Sequence, residues 1–297
     1  MNVGLVLSGG IAKGAYQVGM LKAFRECLPA NFFSCISTSS IGAINGYAYL
    51  TDQLDRAEEK WRSVNSDGII GFIRNFSKSS NVDSIVSHLE YVDLSSDVPF
   101  YTTLLSVPHL RLTYKNLSSV PPEMHFDYLR ASIAFPPVIK PHMVDNVRYI
   151  DGAMVDNIPT LPLVSRHIDL AIVVYFDKDN YVFENPEFDS KVIRVAFPEK
   201  KLIHDTFSFT EKTIVPMLET GYEAARELVS RYGLNDQPDI GRIYALIEED
   251  NKARPKQVPR ITGDILFNRF TLFTKKLVRY KVLEEGQEEN KPSVQID

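Results

Sequence analysis

The chain has 297 residues, of which 44% are apolar and 24% are charged, and its formal net charge is −5. This is ordinary globular composition, and it excludes a disordered tail, a collagen-like chain and a coiled coil. The mildly acidic balance argues against a protein that binds nucleic acid by bulk charge. The two cysteines, Cys27 and Cys35, form no metal-binding or disulfide motif and fit a reducing cytoplasm.

The first fifty residues predict two successive strand–turn–helix units. Residues 3–7 are an apolar run without a preceding basic segment, which predicts a strand rather than a signal peptide. Residues 13–28 carry apolar side chains at helical spacing, residues 32–36 predict a second strand, and residues 41–50 predict a helix rich in Gly and Ala. We therefore predict an α/β fold with a mostly parallel central sheet and helices on both faces.

The rest of the chain continues this pattern. Strands are predicted at 101–107, 110–115, 147–150, 169–176 and 191–195. A long helix is predicted at 207–232, and a strand at 243–247 within a stretch rich in Pro and charge. We predict one domain over 1–297, with a motif-bearing core over about 1–235 and a C-terminal extension over about 236–297. In that extension, 265–277 predicts an amphipathic helix that docks on the domain, and the alternative is a basic helix that lies on an anionic membrane.

The chain holds no run of about 18 apolar residues, so no transmembrane helix is expected and any membrane contact would be peripheral. Its six histidines lack the spacing of metal ligands.

The first candidate motif, Ser-Gly-Gly-Ile-Ala-Lys-Gly at residues 8–14, lies between the first strand and the first helix. Backbone N–H groups of such a loop can point into a cleft, and the helix N-terminus adds positive potential. Ile11 interrupts the glycine pattern of a dinucleotide-binding loop, and the order Lys13-Gly14-Ala15 departs from the Gly-Lys-Ser/Thr of a P-loop. The motif therefore predicts either an oxyanion hole or an ordinary strand–helix turn.

The second candidate motif is the serine cluster at residues 37–40, again between a strand and a helix. A serine at such a bend can be the nucleophile of a GxSxG elbow. Ser40 has the trailing glycine, Gly42, with Thr38 in place of the leading glycine, whereas Ser39 has neither. Ser40 is therefore the better candidate nucleophile, and the alternative is a helix N-cap.

The third candidate motif is Asp151-Gly152, at the end of a predicted strand, followed by Asn157 and Pro159. An Asp held at a strand end can accept a proton from a nearby hydroxyl. The alternative is a common Asp–Gly turn.

In this order, the three motifs resemble the SGGGx(K/R)G, GxSxG and DG(G/A) motifs of the patatin-like phospholipase family. Residues 129–137 also resemble the family's Ala-Ser-x-Ala-x-Pro segment, and residues 221–225 show a fainter similarity. The resemblance runs from Val3 to about Pro162. It implies a patatin-like three-layer fold and a lipid acyl hydrolase with a Ser–Asp dyad, no catalytic His, no metal and no cofactor.

Carried over to this chain, the resemblance makes Ser40 the nucleophile and Asp151 the base. The backbone N–H groups of Gly9, Gly10 and Ile11 would form the oxyanion hole, and Lys13 would either attract the lipid phosphate or lie on the helix surface. The residues that shape the turns would be Gly42, Gly152 and Asn157.

Two positions depart from the family pattern. Ile11 stands where the family has a third loop glycine, and a positive φ there would strain a β-branched residue. Thr38 stands where the elbow has its leading glycine and could crowd the neighbouring strands. We expect a cytoplasmic phospholipase A that acts on glycerophospholipid esters at a membrane surface. The alternatives are an acyltransferase or thioesterase with the same dyad, and a catalytically weak lipid-binding module.

Overall fold

The structure is a computed structural model that describes residues 1–66, 71, 74, 78–94, 97–136, 138–177, 180–197, 207–235, 237–254, 257–260 and 295–296. Its strands are β1 (Val3–Leu7), β2 (Phe33–Thr38), β3 (Phe100–Val107), β4 (Leu112–Asn116), β5 (His142–Val144), β6 (Val147–Asp151), β7 (Leu170–Tyr175), β8 (Asn180–Val182), β9 (Val192–Ala196), β10 (Gln257–Pro259) and β11 (Gln295–Ile296). Its helices are α1 (Gly14–Cys27), α2 (Ile41–Leu50), α3 (Leu54–Ser63), α4 (Ser79–Val86), α5 (Pro122–Ser132), α6 (Leu161–Val164), α7 (Pro186–Asp189), α8 (Glu211–Tyr232) and α9 (Ile240–Ala253).

The central sheet has the strand order β11-β4-β3-β2-β1-β7-β9. In the part of this order that runs β3-β2-β1-β7-β9, each strand is parallel to its neighbours. β4 and β6 run antiparallel to β3. The predicted α/β class and the mostly parallel sheet are thus confirmed. Of the six strands predicted after residue 100, five are confirmed as β3, β4, β6, β7 and β9, whereas the short strands β5, β8, β10 and β11 were not predicted.

Two strands, β2 and β6, pair with successive halves of the same edge of β3, and this arrangement forms the site. β4 occupies one edge of β3. On the other edge, β2 pairs in parallel with the first half of β3, so that Thr38 lies opposite Thr102. β6 pairs antiparallel with the second half, so that Asp151 lies opposite Leu104. The C-terminal ends of β2 and β6 therefore meet end to end, which brings together residues more than a hundred positions apart.

Apolar side chains cover both faces of the sheet. On one face, Leu5 and Leu7 pack in a large core with residues of α1, α2, α3 and α8. On the other face, Val6 and Val173 pack with Leu163 of α6 and Phe188 of α7. Helices on both faces are thus confirmed, although the second face carries the shorter ones.

The long helix predicted at 207–232 is confirmed as α8, and it ends at Gly233 with a φ of 63°. Inside it, Gly221 lies against α1, where an added Cβ would stand 1.9 Å from the carbonyl oxygen of Tyr16. The faint similarity at 221–225 therefore marks a helix crossing that only glycine permits.

The strand predicted at 243–247 is wrong, because these residues lie inside α9. Ile243 and Ile247 are both buried whereas Ala245 between them is exposed, which fits a helix and not a strand, because all three would share one face of a strand. Asp239 accepts hydrogen bonds from the N–H groups that follow it and so caps the helix N-terminus. The amphipathic helix predicted at 265–277 lies outside the described residues, and the division near residue 235 remains a prediction.

Candidate active site

Ser40 occupies the bend between β2 and α2. Its φ of 54° and ψ of −130° are values that a residue with a side chain rarely adopts, and such strain is concentrated at functional sites. The Ser40 side chain makes no capping hydrogen bond with α2, so the alternative of a helix N-cap is wrong for its hydroxyl. Its hydroxyl instead lies within reach of the Asp151 carboxylate, where its hydrogen-bonding influence lowers the pKa of that group.

Two glycines permit the close approaches around this bend. A Cβ on Gly42 would lie 2.4 Å from the Leu7 carbonyl oxygen, so only glycine allows α2 to begin against the end of β1. A Cβ on Gly152 would lie 2.5 Å from the backbone carbonyl carbon of Thr103. Both glycines therefore permit a close backbone approach, one at the elbow and one at the Asp–Gly turn.

Thr38 fits the elbow without a leading glycine. Its side chain is fully buried at the end of β2, and its hydroxyl donates to the Tyr101 carbonyl oxygen at 2.7 Å. The expected crowding does not separate the strands, since Thr38 keeps its register with both Leu7 and Thr102.

Asp151 ends β6 with its side chain almost fully buried. Its Oδ1 accepts from the Ala153 N–H at 2.9 Å, so the carboxylate also holds the Asp–Gly turn that follows. Burial raises the pKa of Asp151 to about 7, although the hydrogen bonds from Ser40 and Ala153 act in the opposite direction. A carboxylate with this pKa is suited to accept a proton near neutral pH.

Ser39 lies in a different environment from Ser40. Its hydroxyl is buried, lies 2.6 Å from the Thr103 hydroxyl and donates to the Asp156 carbonyl oxygen at 3.2 Å. Ser39 thus ties the elbow to neighbouring backbone, whereas Ser40 contacts the carboxylate.

The glycine loop is held in place by Asn157. The Gly9 N–H donates to Asn157 Oδ1 at 2.8 Å, and Asn157 Nδ2 donates to the Gly9 carbonyl oxygen at 3.2 Å. The Gly9 N–H already has an acceptor, which corrects the predicted set of three oxyanion donors. Among the described residues, the N–H groups of Gly10 and Ile11 have no acceptor and are the two donors that remain.

The loop also depends on glycine at position 10. A Cβ on Gly10 would lie 2.2 Å from the Phe176 ring, which is buried just after the end of β7. The same ring lies beneath the Lys13 ammonium, 5.6 Å from its centroid. Phe176 is thus a site-shaping residue that sequence reasoning missed, because no local pattern links it to the loop.

Ile11 has a φ of 53°, so the departure from the family's glycine places a β-branched residue in the left-handed region. Its side chain is half-buried and packs against the main core. The loop therefore keeps its shape at a conformational cost of about 1–2 kcal/mol.

We expect the Ile11→Gly variant to be more stable than the Ile11→Ala variant by about 1 kcal/mol. Both substitutions remove the packed side chain, but only glycine also removes the strain at positive φ. Urea denaturation of the two variants measures this difference. Equal stability, or a more stable alanine variant, would show that Ile11 is not strained.

Lys13 is buried rather than solvated. Its side chain is only 4% exposed, and its Nζ donates to the Phe176 carbonyl oxygen at 3.4 Å. The alternative of a lysine on the helix surface is therefore wrong. Contact with a lipid phosphate remains a prediction, and it would require a substrate that reaches this buried ammonium.

A buried ionic network lies behind the elbow, and sequence reasoning missed it. Arg260 Nη2 lies 2.8 Å from Asp156 Oδ1, and the two side chains are 5% and 2% exposed. Asp156 also accepts from the Tyr114 hydroxyl and, at 3.2 Å, from the Ile158 N–H. Asp156 immediately precedes Asn157 in the chain. The network therefore links the C-terminal extension to the segment that holds the glycine loop and Ser39.

Metal-binding clusters and membrane-spanning helices are both absent from the described residues. They contain no group of three or more His, Cys, Asp or Glu side chains placed to hold a metal ion. None of their helices has the length and apolarity needed to cross a membrane.

Comparison with known proteins gives the family. The sequence profile of the patatin-like phospholipase family matches residues 5–164, which is more than half of the chain. The chain therefore belongs to the patatin-like phospholipase family. The matched residues contain the glycine loop, the elbow with Ser40, and Asp151 with its turn.

The curated relatives are longer than this chain. An uncharacterised NTE family protein of Mycobacterium tuberculosis is 29% identical over 181 residues, which are 58% of this chain and 48% of the relative. Lysophospholipase NTE1 of Cryptococcus neoformans is 28% identical over 191 residues, 58% of this chain and 11% of the fungal protein. The chain thus spans about half the length of the mycobacterial relative. Among solved structures, VipD from Legionella pneumophila is similar with a TM-score of 0.43 at 12% identity, over 77% of this chain and 67% of VipD.

Proposed function

We propose that the protein is a lipid acyl hydrolase of the phospholipase A type, with Ser40 as nucleophile and Asp151 as base. The observation that carries this proposal is the position of the Ser40 hydroxyl, on a residue with a strained backbone, beside a buried carboxylate with a pKa of about 7. A serine hydroxyl is a weak nucleophile until a base takes its proton. Asp151 lies where it can do so directly.

The proposed reaction has two steps. In the first, Ser40 Oγ bonds to the ester carbonyl carbon, its proton passes to Asp151, and the carbonyl electron pair moves to the oxygen. The N–H groups of Gly10 and Ile11 then donate to that oxyanion, and each such donor is typically worth about 10²–10³ in rate. The ester C–O bond breaks, the leaving alcohol takes the proton from Asp151, and acyl-Ser40 remains.

In the second step, Asp151 takes a proton from water, whose oxygen attacks the acyl carbonyl carbon. The bond to Ser40 Oγ breaks, and this oxygen recovers the proton from Asp151. A fatty acid is released, and the dyad returns to its starting state. One carboxylate thus serves both half-reactions as base and then as acid, which a pKa near 7 favours.

Membership of the patatin-like phospholipase family supports a lipid ester as the substrate. The name of the fungal relative, a lysophospholipase, points to the same chemistry. We place the reaction at a membrane surface that the protein contacts peripherally.

The test is fatty-acid release from phospholipid vesicles, with EDTA present, by wild type, Ser40→Ala and Ser39→Ala. We expect activity in wild type, retention of most of it in Ser39→Ala, and a loss of roughly 10³-fold or more in Ser40→Ala. Activity that survives in Ser40→Ala would refute Ser40 as the nucleophile. Release of the acyl group only to an acceptor other than water would favour an acyltransferase, and lipid binding without turnover would favour a binding module.

A further inference from the structure

The strand β3 extends beyond the end of the sheet at which Ser40 lies. Its pairing with β2 ends at Thr102, and the strand continues to Val107 between β4 and β6. Val107 lies opposite Arg148, so the β3–β4 loop and the β5–β6 loop stand side by side. We call these two loops, together with the β5 and β6 residues that flank the second one, the hairpin tip (residues 108–111 and 143–148).

The hairpin tip lies close to the candidate active site, at the same end of the parallel strands. Asp151 pairs with Leu104, three residues before Val107. At about 3.3 Å per residue, the tip begins roughly 10 Å beyond the Asp151 position. Ser40 follows the end of β2 at this same edge. A surface that touches the tip therefore also faces the site.

The hairpin tip carries most of the exposed apolar side chains of the described residues. Five large hydrophobic residues are strongly exposed in those residues, and three of them are in the tip: Leu110 at 51%, Met143 at 54% and Val147 at 38%. A single exposed apolar side chain needs no explanation, but three at one projecting end of the sheet mark an interaction surface. The register pairs Val147 with Val144 and Met143 with Arg148, so Met143 and Val147 lie on opposite faces of the β5–β6 ladder and the tip meets a surface end-on.

Cationic residues accompany these exposed apolar residues in the chain. Arg111 and Arg148 are exposed within the tip, and Lys140 is exposed just before β5. Asp145 is the one acidic residue of the tip, and it accepts a hydrogen bond from the Tyr128 hydroxyl at 3.3 Å. A small apolar cluster flanked by cations is the chemistry that recognises an anionic lipid surface.

We propose that the hairpin tip docks on an anionic lipid bilayer. Leu110, Met143 and Val147 enter the boundary between headgroups and acyl chains, and the neighbouring cations contact the phosphates. A stable protein partner would require a much larger surface than two loops offer. This proposal rests on the proposed function, because docking at this edge presents a lipid ester to Ser40.

Vesicle sedimentation of Ser40→Ala tests the proposal without turnover. The vesicles consist of phosphatidylcholine alone or phosphatidylcholine with phosphatidylglycerol. We expect Ser40→Ala to bind the anionic vesicles more tightly, and this preference to weaken as salt is added. Adding either Leu110→Asp with Met143→Asp, or Arg111→Gln with Arg148→Gln, should lower the affinity for anionic vesicles about tenfold or more.

The matched control is Ala30→Asp with Asn31→Asp, which adds two negative charges at exposed positions before β2, at the opposite end of the strands. We expect this variant to bind vesicles as its Ser40→Ala parent does. With Ser40 restored, the tip variants should hydrolyse a soluble short-chain ester at the wild-type rate. That assay separates the two proposals, because an inactive wild type would refute the hydrolase while the vesicle result still decided the docking surface.

Three results would overturn the docking proposal. Ser40→Ala could fail to bind either type of vesicle. The tip variants could bind as the parent does, or lose no more affinity than the Ala30→Asp with Asn31→Asp control. The tip substitutions could instead change self-association in size-exclusion chromatography, which would assign the tip to a second copy of the chain.

Discussion

Asp151→Asn should abolish hydrolysis and leave the protein at least as stable as wild type at about pH 8. The amide cannot take the Ser40 proton, so we expect kcat to fall by roughly 10²–10⁴-fold or more. The stability gain follows from burial, which raises the pKa of Asp151 to about 7 from an ordinary value near 3.8. Above pH 7 the folded protein bears the cost of a buried charge, and asparagine removes it.

The raised pKa also determines how the stability of wild type changes with pH. Between about pH 4 and pH 7 the folded state binds a proton that the unfolded state has lost, so the free energy of unfolding falls as pH rises. Urea denaturation at about pH 5 and about pH 8 should therefore show Asp151→Asn gaining on wild type at the higher pH. A variant that is strongly destabilised at pH 8 would contradict a raised pKa.

The same pKa governs activity in wild type. We expect kcat/KM to rise with pH through about 7, because only ionised Asp151 can accept the Ser40 proton. A rate that stays level down to about pH 5 would show that Asp151 has an ordinary carboxyl pKa or is not the base.

Arg260→Met should destabilise the protein by about 3–5 kcal/mol, the largest stability effect that we expect from a single substitution. Arg260 and Asp156 form an almost fully buried ion pair, and methionine would leave Asp156 charged in the interior without its partner. Glu184 also contacts the Arg260 guanidinium, at 3.2 Å, but its side chain is 40% exposed and can return to water. Urea denaturation measures the loss.

Two further variants show whether the loss of stability comes from the buried ion pair. Arg242→Met removes an exposed arginine of the same extension and should change stability by no more than about 0.5 kcal/mol. The double variant Asp156→Asn with Arg260→Met should recover part of the loss, because it leaves no unpaired buried charge. The account would be contradicted if Arg260→Met left the free energy of unfolding unchanged, or if the double variant were no more stable than Arg260→Met. Either result would show that the ion pair does not stabilise the attachment of the extension.

The proximity of Ser40 to the glycine loop was predictable from sequence because both motifs follow strand ends. Ser40 and the glycine loop each follow a short buried strand, and parallel neighbours end at the same edge of a sheet. The position of Asp151 was predictable only as a strand end. Its meeting with Ser40 depends on β6 and β2 sharing one edge of β3, and this long-range pairing leaves no local signal.

The remaining features depend on contacts that no local pattern encodes. Arg260 and Asp156 are 104 residues apart, and an arginine in a Pro- and charge-rich stretch has the sequence signature of a solvated residue. Whether Ile11 would be strained was open from the sequence, because the φ of a loop residue is set by its surroundings. The mistaken strand at 243–247 shows the limit of short apolar runs, which fit a strand and a buried helix face equally.

The most direct test of the central claim is to identify the residue that a long-chain alkyl fluorophosphonate modifies. This reagent forms a stable phosphonyl ester with an activated serine, and peptide mass spectrometry then locates the adduct. For wild type and Ser39→Ala, the dyad predicts one adduct on Ser40; for Ser40→Ala it predicts none, and for Asp151→Asn a strongly slowed reaction. An adduct on Ser39, or labelling that persists in Ser40→Ala, would contradict the dyad.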